Sequence, residues 1–150
     1  MNLKRILLVD DSHRDTELVI DALERHNLAN IIETLHDGAE ALDYLYRRGR
    51  FAERTGDDPA VILLDLKMPK VDGLEVLRVI KSDPVLRLIP VVVMTSSREE
   101  RDVLESYQLG VNAYVVKPLE FDQFTTAVVQ LGAFWAVVNE PPPPPPPRSK

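Results

Sequence analysis

Five residues of this chain, Asp10, Asp11, Asp65, Thr95 and Lys117, have types and surroundings that can do chemistry together. Each site follows a short apolar run. Ile6-Leu7-Leu8-Val9 leads into Asp10-Asp11, Val61-Ile62-Leu63-Leu64 into Asp65, Val91-Val92-Val93-Met94 into Thr95, and Tyr114-Val115-Val116 into Lys117. If the runs are parallel strands of one sheet, their C-terminal ends share an edge. Three carboxylates, a hydroxyl and an ammonium then meet in the crevice where such sheets bind ligands. Two carboxylates about 4 Å apart repel by about 4 kcal/mol at an effective dielectric of about 20. Three in one pocket require either a protonated member or a cation. Clustered oxygen donors suit Mg2+, which keeps several of its waters. The chain has no cysteine, and no histidine is expected at a strand end, which disfavours zinc and copper.

A carboxylate beside Mg2+ and a lysine ammonium can attack phosphorus, because the cations offset the charge on the equatorial oxygens. Asp65 follows the third of five runs, the expected central strand, and is the natural nucleophile. Asp10 and Asp11 are expected to hold the metal, Lys117 to bind the phosphoryl group, and Thr95 to donate a hydrogen bond to it. Each feature alone has an ordinary explanation. Asp10-Asp11 would cap a following helix, Lys117 would be a surface cation, and Thr95 would open a helix with Ser96 and Ser97. The specificity lies in their convergence.

The elements that must position these residues are legible as an alternation. The remaining apolar run is Ile31-Ile32 with Leu35, and a stretch of helical periodicity follows every run. Four of the five runs are continuous rather than alternating, as in parallel strands covered on both faces. Ser12 with Asp15 opens the first helix, with Leu18, Val19, Ala22 and Leu23 inside. Ala41, Leu42 and Leu45 mark the second. Asp72 with Glu75 opens the third, which buries Leu74, Leu77 and Ile80. Ser97 with Glu100 is expected to open the fourth, with Val103, Leu104 and Tyr107 inside and Gly110 as its stop. The fifth is expected from about Glu120 to about Val138, with Phe121, Phe124, Val128, Leu131 and Trp135 at core spacing. Phe134 and Val137 lie off that stripe. Right-handed crossovers then give an α/β fold, a doubly wound five-stranded parallel sheet of (βα)5 order.

Two segments exceed this unit. Gly49–Pro59 is a long charged connection. Residues 139–150 form a tail beyond the domain of residues 1–138, and its seven prolines, Pro141 to Pro147, favour a stiff left-handed extended helix. The formal net charge of −6 argues against a nucleic-acid partner. No apolar run reaches the ~20 residues of a membrane span, and the N-terminal apolar segment is too short for a signal peptide. A cytoplasmic location is expected. His13, His26 and His36 are expected at exposed helix or loop positions.

Val9-Asp10-Asp11, Leu64-Asp65-Leu66-Lys67-Met68-Pro69 with Asp72-Gly73, Met94-Thr95-Ser96 and Tyr114-Val115-Val116-Lys117-Pro118 closely resemble the motifs of two-component receiver domains. The resemblance covers roughly residues 4 to 136. It implies a flavodoxin-like receiver fold and a non-enzymatic signalling role, with Asp65 as phosphoacceptor. It also implies Asp11, Asp65 and the Lys67 carbonyl as direct Mg2+ ligands, with Asp10 acting largely through water. Thr95 and Tyr114 are implied as a coupled switch, and a cis Lys117-Pro118 bond as the device that aims the lysine. The long loop, the extended fifth helix and the ending Phe134-Trp135-Ala136-Val137-Val138-Asn139-Glu140-Pro141 resemble the stand-alone regulators paired with phytochromes. That narrower likeness implies a phytochrome-type sensor histidine kinase as donor and a homodimer through helix 4, strand 5 and helix 5. It leaves an unknown downstream protein, a phosphorelay or a phosphate sink as the output. Two other classes share parts of the pattern. A Mg2+-dependent phosphohydrolase would want a second Asp where Lys67 stands, and a flavodoxin-like cofactor binder would want a glycine- and hydroxyl-rich loop where Asp10-Asp11-Ser12 stands.

Overall fold

The computed structural model describes residues 5–27, 32–68, 71–117, 121–140 and 142–143. Strands and helices alternate as β1 (Ile6–Val9), α1 (His13–Glu24), β2 (Ile32–Leu35), α2 (Gly38–Tyr46), β3 (Val61–Leu64), α3 (Gly73–Ser82), β4 (Val91–Thr95), α4 (Glu100–Gln108), β5 (Ala113–Val116) and α5 (Phe121–Ala133). The five strands are all parallel, in the order β2-β1-β3-β4-β5. This is the doubly wound receiver-type sheet expected from the sequence, with β3 at its centre.

Register explains why the site forms. Val9 pairs with Leu64 across β1 and β3, so Asp10 and Asp65 leave the sheet side by side. Leu64 pairs with Val93, and Thr95 pairs with Val116, which puts Thr95 and Lys117 at the same edge.

The inner strands β1, β3 and β4 are buried along their whole length and the edge strands β2 and β5 are largely half-buried, and successive residues feed opposite cores. Leu7, Val9, Ile62, Leu64, Val91 and Val93 pack with Leu45, Leu77 and Ile80 of α2 and α3. Ile6, Leu8, Val61, Leu63, Val92 and Met94 pack with Val19 and Leu23 of α1 and Phe124 and Val128 of α5. Each fully buried Leu, Ile or Val stabilises the fold by about 1.5–3 kcal/mol relative to exposure, so the site stands on the most deeply buried strands of the sheet.

Three helices begin on side-chain caps. Ser12 Oγ accepts from Asp15 N–H at 3.1 Å, Asp37 Oδ1 from Glu40 N–H at 2.8 Å, and Asp72 Oδ1 from Glu75 N–H at 3.0 Å. Gly110, at φ +100°, stops α4, and Val111 N–H reaches back to the Ser106 carbonyl.

The fourth helix departs from expectation twice. It starts at Glu100 behind an N-cap Glu99 that makes no side-chain cap bond, rather than on a Ser97–Glu100 box. Ser97 Oγ instead donates to Asp102 Oδ2 at 2.6 Å. The helix is also rotated. Asp102 and Ser106 are buried, whereas Leu104 and Tyr107, expected inside, are 60% and 52% exposed. A buried acid is tolerable because it is hydrogen-bonded and ion-paired, and that pairing overrides the apolar stripe.

The Gly49–Pro59 connection is ordered from within. It opens with a 3-10 turn at Gly49–Phe51. Arg54 stacks its guanidinium 4.2 Å from the Tyr44 ring, donates to the Tyr44 carbonyl at 3.0 Å and pairs with Asp58 at 3.1 Å. Beyond α5, Phe134–Val138 continues as a π-helical turn, consistent with the long fifth helix expected. Phe124 and Val128 are buried and Leu131 and Trp135 partly so, while Phe134 is 48% exposed. Glu120, the side chains of Phe121 and Val137, most of the proline run and the Lys117-Pro118 bond lie outside the described residues. Among the described residues, no helix is long and apolar enough to cross a membrane.

Candidate functional site

The two acids at the ends of β1 and β3 are buried, and Asp11 is exposed beside them. Carboxylate oxygens of Asp10, Asp11 and Asp65 all lie within 4.8 Å of one another. Lys117, just past β5, closes the group. Its Nζ lies 2.7 Å from Asp10 Oδ2, 2.7 Å from Asp15 Oδ2 and 3.4 Å from Asp65 Oδ2. The sequence-expected acids and lysine are thus brought together from three separate strands.

The electrostatics follow from burial against pairing. Burial pushes the Asp10 carboxyl above its ordinary value, while the Lys117 hydrogen bond and charge pull the other way. For Lys117, burial opposes the charge, but hydrogen bonds to Asp10 and Asp15 and the charges of Asp10 and Asp65 outweigh it. The ammonium is held well above the usual lysine range. With three carboxylates within 3.4 Å, Lys117 is a cation.

Three carboxylates of which one faces solvent make a donor set that fits a hard, partly hydrated divalent ion such as Mg2+. Lys117 meets only part of that charge. Lys67 N–H donates to Asp65 Oδ1 at 3.3 Å, so its backbone lies against the same carboxylate. Asp10 does double duty, since its other oxygen accepts from Ser12 N–H at 2.9 Å at the start of α1. The capping and ligand readings of Asp10 are therefore compatible.

Thr95 is fully buried at the end of β4, and its carbonyl accepts from Lys117 N–H at 2.8 Å. Its Oγ1 accepts a long bond, 3.4 Å, from Ser97 N–H. Tyr114 on β5 is half-buried, and its hydroxyl donates to the Ser97 carbonyl at 3.0 Å. Thr95 and Tyr114 thus meet at one residue, Ser97.

Three residues escaped the sequence reading. Asp15 was visible only as the cap partner of Ser12. Its place in the first turn of the helix that follows Asp10-Asp11 sets it at the same end of the sheet, a signal that would have found it. Asp102 carries no such signal. The hydrogen bond from Ser97, assisted by Lys67 Nζ at 3.3 Å and opposed by burial, holds its carboxyl below the ordinary value. His36 follows β2 directly, so a histidine does stand at a strand end, contrary to expectation. Its Nδ1 lies 3.2 Å from the Asp10 carbonyl and its ring 4.8 Å from that of His13. It faces the backbone of Asp10 and is not among the clustered ligand atoms.

Comparison with known proteins agrees with this geometry. Residues 6–129 match the family model described as the response regulator receiver domain. The chain is 41% identical over 132 residues to response regulator Rcp1 of Synechocystis sp., covering 88% of each. The structure of the Mn(2+)-bound form of Rcp1 overlays with a TM-score of 0.86 over 93% of this chain and 99% of that one. The phosphorylated cyanobacterial phytochrome response regulator RcpA matches at 41% identity with a TM-score of 0.86, covering 93% and 99%. The bacteriophytochrome response regulator RtBRR is 62% identical, with a TM-score of 0.74 over 94% of this chain and 85% of that one.

Proposed function

The chain belongs to the response regulator receiver domain family, and from that membership we propose that it accepts a phosphoryl group on Asp65 from a sensor histidine kinase of the phytochrome type. The observation that carries the reading is the single ammonium of Lys117 set among Asp10, Asp15 and Asp65 at the C-terminal edge of the sheet. The kinase class is supported by the likeness to regulators named for phytochromes.

In the transfer, a carboxylate oxygen of Asp65 bonds to phosphorus while the bond from phosphorus to the donor imidazole nitrogen breaks. An aspartyl phosphate is left on this chain. Lys117 offsets charge on the equatorial oxygens, and Thr95 turns its hydroxyl toward them. Asp11, Asp65 and the Lys67 carbonyl are the residues that would hold Mg2+ directly, with Asp10 behind water. The ion would supply further charge neutralisation at the same oxygens. The protein's own contribution is position and fixed charge, which is most of what phosphoryl transfer asks of it.

The new charge then biases Thr95, Ser97 and Tyr114, and through them the face made by α4, β5 and α5. Leu104 and Tyr107 on α4, and Phe134 and Val138 just beyond α5, are exposed apolar side chains carried by two of those elements or their continuation. This supports signalling by self-association or by a downstream protein, with residues 1–138 as the receiver unit and the proline-rich residues 139–150 as an appended tail. The absence of a second Asp at the Lys67 position disfavours a phosphohydrolase.

The test is incubation with acetyl phosphate and Mg2+ followed by intact mass. The wild-type chain should gain one phosphoryl group and Asp65→Asn none. Equal labelling of both would remove Asp65 from its role.

A further inference from the structure

Lys67 and Asp102 are joined across 35 positions of sequence by an ion pair of 3.3 Å. The two ends differ in character. The Lys67 side chain is 58% exposed, whereas the Asp102 carboxylate is almost wholly buried at the start of α4. Ser97 Oγ donates to the same oxygen that Lys67 meets, Asp102 Oδ2, at 2.6 Å and fixes the carboxylate in place. At its backbone, Lys67 belongs to the Asp65 site, since its N–H donates to Asp65 Oδ1. A mobile cation therefore starts two residues from the phosphoacceptor and is drawn off by a rigid anion on another element.

A phosphoryl group on Asp65 would bring several acceptor oxygens within the reach of the same arm. Charge-assisted bonds from an ammonium to phosphoryl oxygens are strong enough to compete with an ion pair whose lysine end is solvated. One ammonium on one arm has to divide its time between the two anions.

We propose that Asp102 is a positioning residue that competes with the Asp65-bound phosphoryl group for the Lys67 ammonium, and thereby sets how long the acyl phosphate lasts. The inference rests on Asp65 being the phosphoacceptor. Loss of the group occurs when water adds to phosphorus and the bond from phosphorus to the Asp65 oxygen breaks. Orthophosphate leaves, and the carboxylate is regenerated. The water must approach in line with the departing oxygen. A lysine arm drawn onto the phosphoryl oxygens occupies that open side, and Asp102 holds the arm away from it.

The test uses the full chain. Wild type, Asp102→Asn, Asp102→Glu, Lys67→Met and the Asp102→Asn/Lys67→Met pair are loaded with acetyl phosphate and Mg2+ and desalted. The remaining adduct is followed by intact mass. Asp102→Asn should lengthen the lifetime by about threefold to fivefold, the size expected from freeing one partly exposed ion pair. Asp102→Glu should stay near wild type, and Lys67→Met should shorten the lifetime. The double variant should decay like Lys67→Met alone, because Asp102 acts only through that arm. A purely structural Asp102 would lower the melting temperature without this dependence on Lys67. If Asp102→Asn fails to fold, Lys67→Met still decides the matter, its side chain being exposed. Uptake with an unchanged lifetime in Lys67→Met, or lengthening by Asp102→Asn without Lys67, overturns the inference and leaves the phosphoacceptor reading standing. No uptake by the wild-type chain overturns both.

Discussion

Lys117 Nζ and Asp15 Oδ2 stand 2.7 Å apart, linking the end of β5 to the first turn of α1 across the mouth of the acidic pocket. Asp15 lies outside the three-acid cluster, so it holds the lysine without belonging to the metal donor set. Asp15→Asn should accordingly leave Mn2+ affinity near wild type in calorimetric titration and cost about 1 kcal/mol of stability, the usual value of a partly exposed charged bond. A large loss of metal affinity would place Asp15 among the ligands instead.

Lys117→Met should separate two properties that a simple site defect would not. Without the ammonium, Asp10 and Asp65 face each other unneutralised, so divalent affinity should rise. Phosphoryl uptake from acetyl phosphate should nevertheless fall by about a hundredfold, as when a preorganised charge is removed from a transition state. Titration with Mn2+ and a mass-spectrometric time course check the two halves. Wild-type uptake in this variant would exclude Lys117 from the transfer.

The sheet and the acids were legible because their signals are local. Continuous Val, Ile and Leu runs mark buried parallel strands, and an acid or lysine at the end of such a run has one place to go. Asp10, Asp11, Asp65 and Lys117 converge for that reason. What was not legible depends on pairs distant in sequence. Periodicity put Leu104 and Tyr107 inside α4 and could not anticipate that Ser97 and Lys67 would hold Asp102 in their place. Nor could it show that His36 would turn toward the Asp10 carbonyl.

Asp102 also predicts a pH dependence. Its folded carboxyl is held below its ordinary value of 3.8. The stabilisation from the ionised form is complete above that value and is lost as pH falls through the folded value. Asp102→Asn should therefore be less stable than wild type by about 1–3 kcal/mol at neutral pH, with the gap closing below about pH 4. Urea denaturation at several pH values reads this directly. A gap that widens toward acid would have the wrong sign.

Gly73 opens α3 where the chain folds back over the phosphoacceptor. A Cβ there would lie 2.2 Å from the Asp65 carbonyl oxygen and 2.5 Å from Leu66 Cα, both backbone atoms. Gly73→Ala must displace the loop that carries Asp65, so it should cost about 3 kcal/mol or more and slow phosphoryl uptake as well. Gly56 is the control. At φ +88° with open space around it, Gly56→Ala should cost only the left-handed backbone penalty of about 1–2 kcal/mol and leave uptake alone. Denaturation midpoints and mass-spectrometric uptake on both variants distinguish local strain from site distortion.

The rotation of α4 turns Leu104 and Tyr107 outward, and Phe134 and Val138 are 48% and 69% exposed at the far end of α5. An interface of ordinary size buries about 800 Å² on each partner, and its energy concentrates in a few apolar and aromatic anchors near the centre. Phe134, in edge contact with Trp135 at 5.0 Å, is the best aromatic candidate, and Leu104 the best aliphatic one. If this face joins two copies, Phe134→Glu and Leu104→Glu should each weaken self-association at least about tenfold, equivalent to about 1.4 kcal/mol. Both should take up phosphoryl from acetyl phosphate as wild type does, because neither residue contributes to the acid cluster. Sedimentation equilibrium with and without acetyl phosphate measures the first effect, and intact mass the second. A wild-type chain that stays monomeric at tens of micromolar in both conditions removes the dimer, and the exposed strip must then serve a different protein.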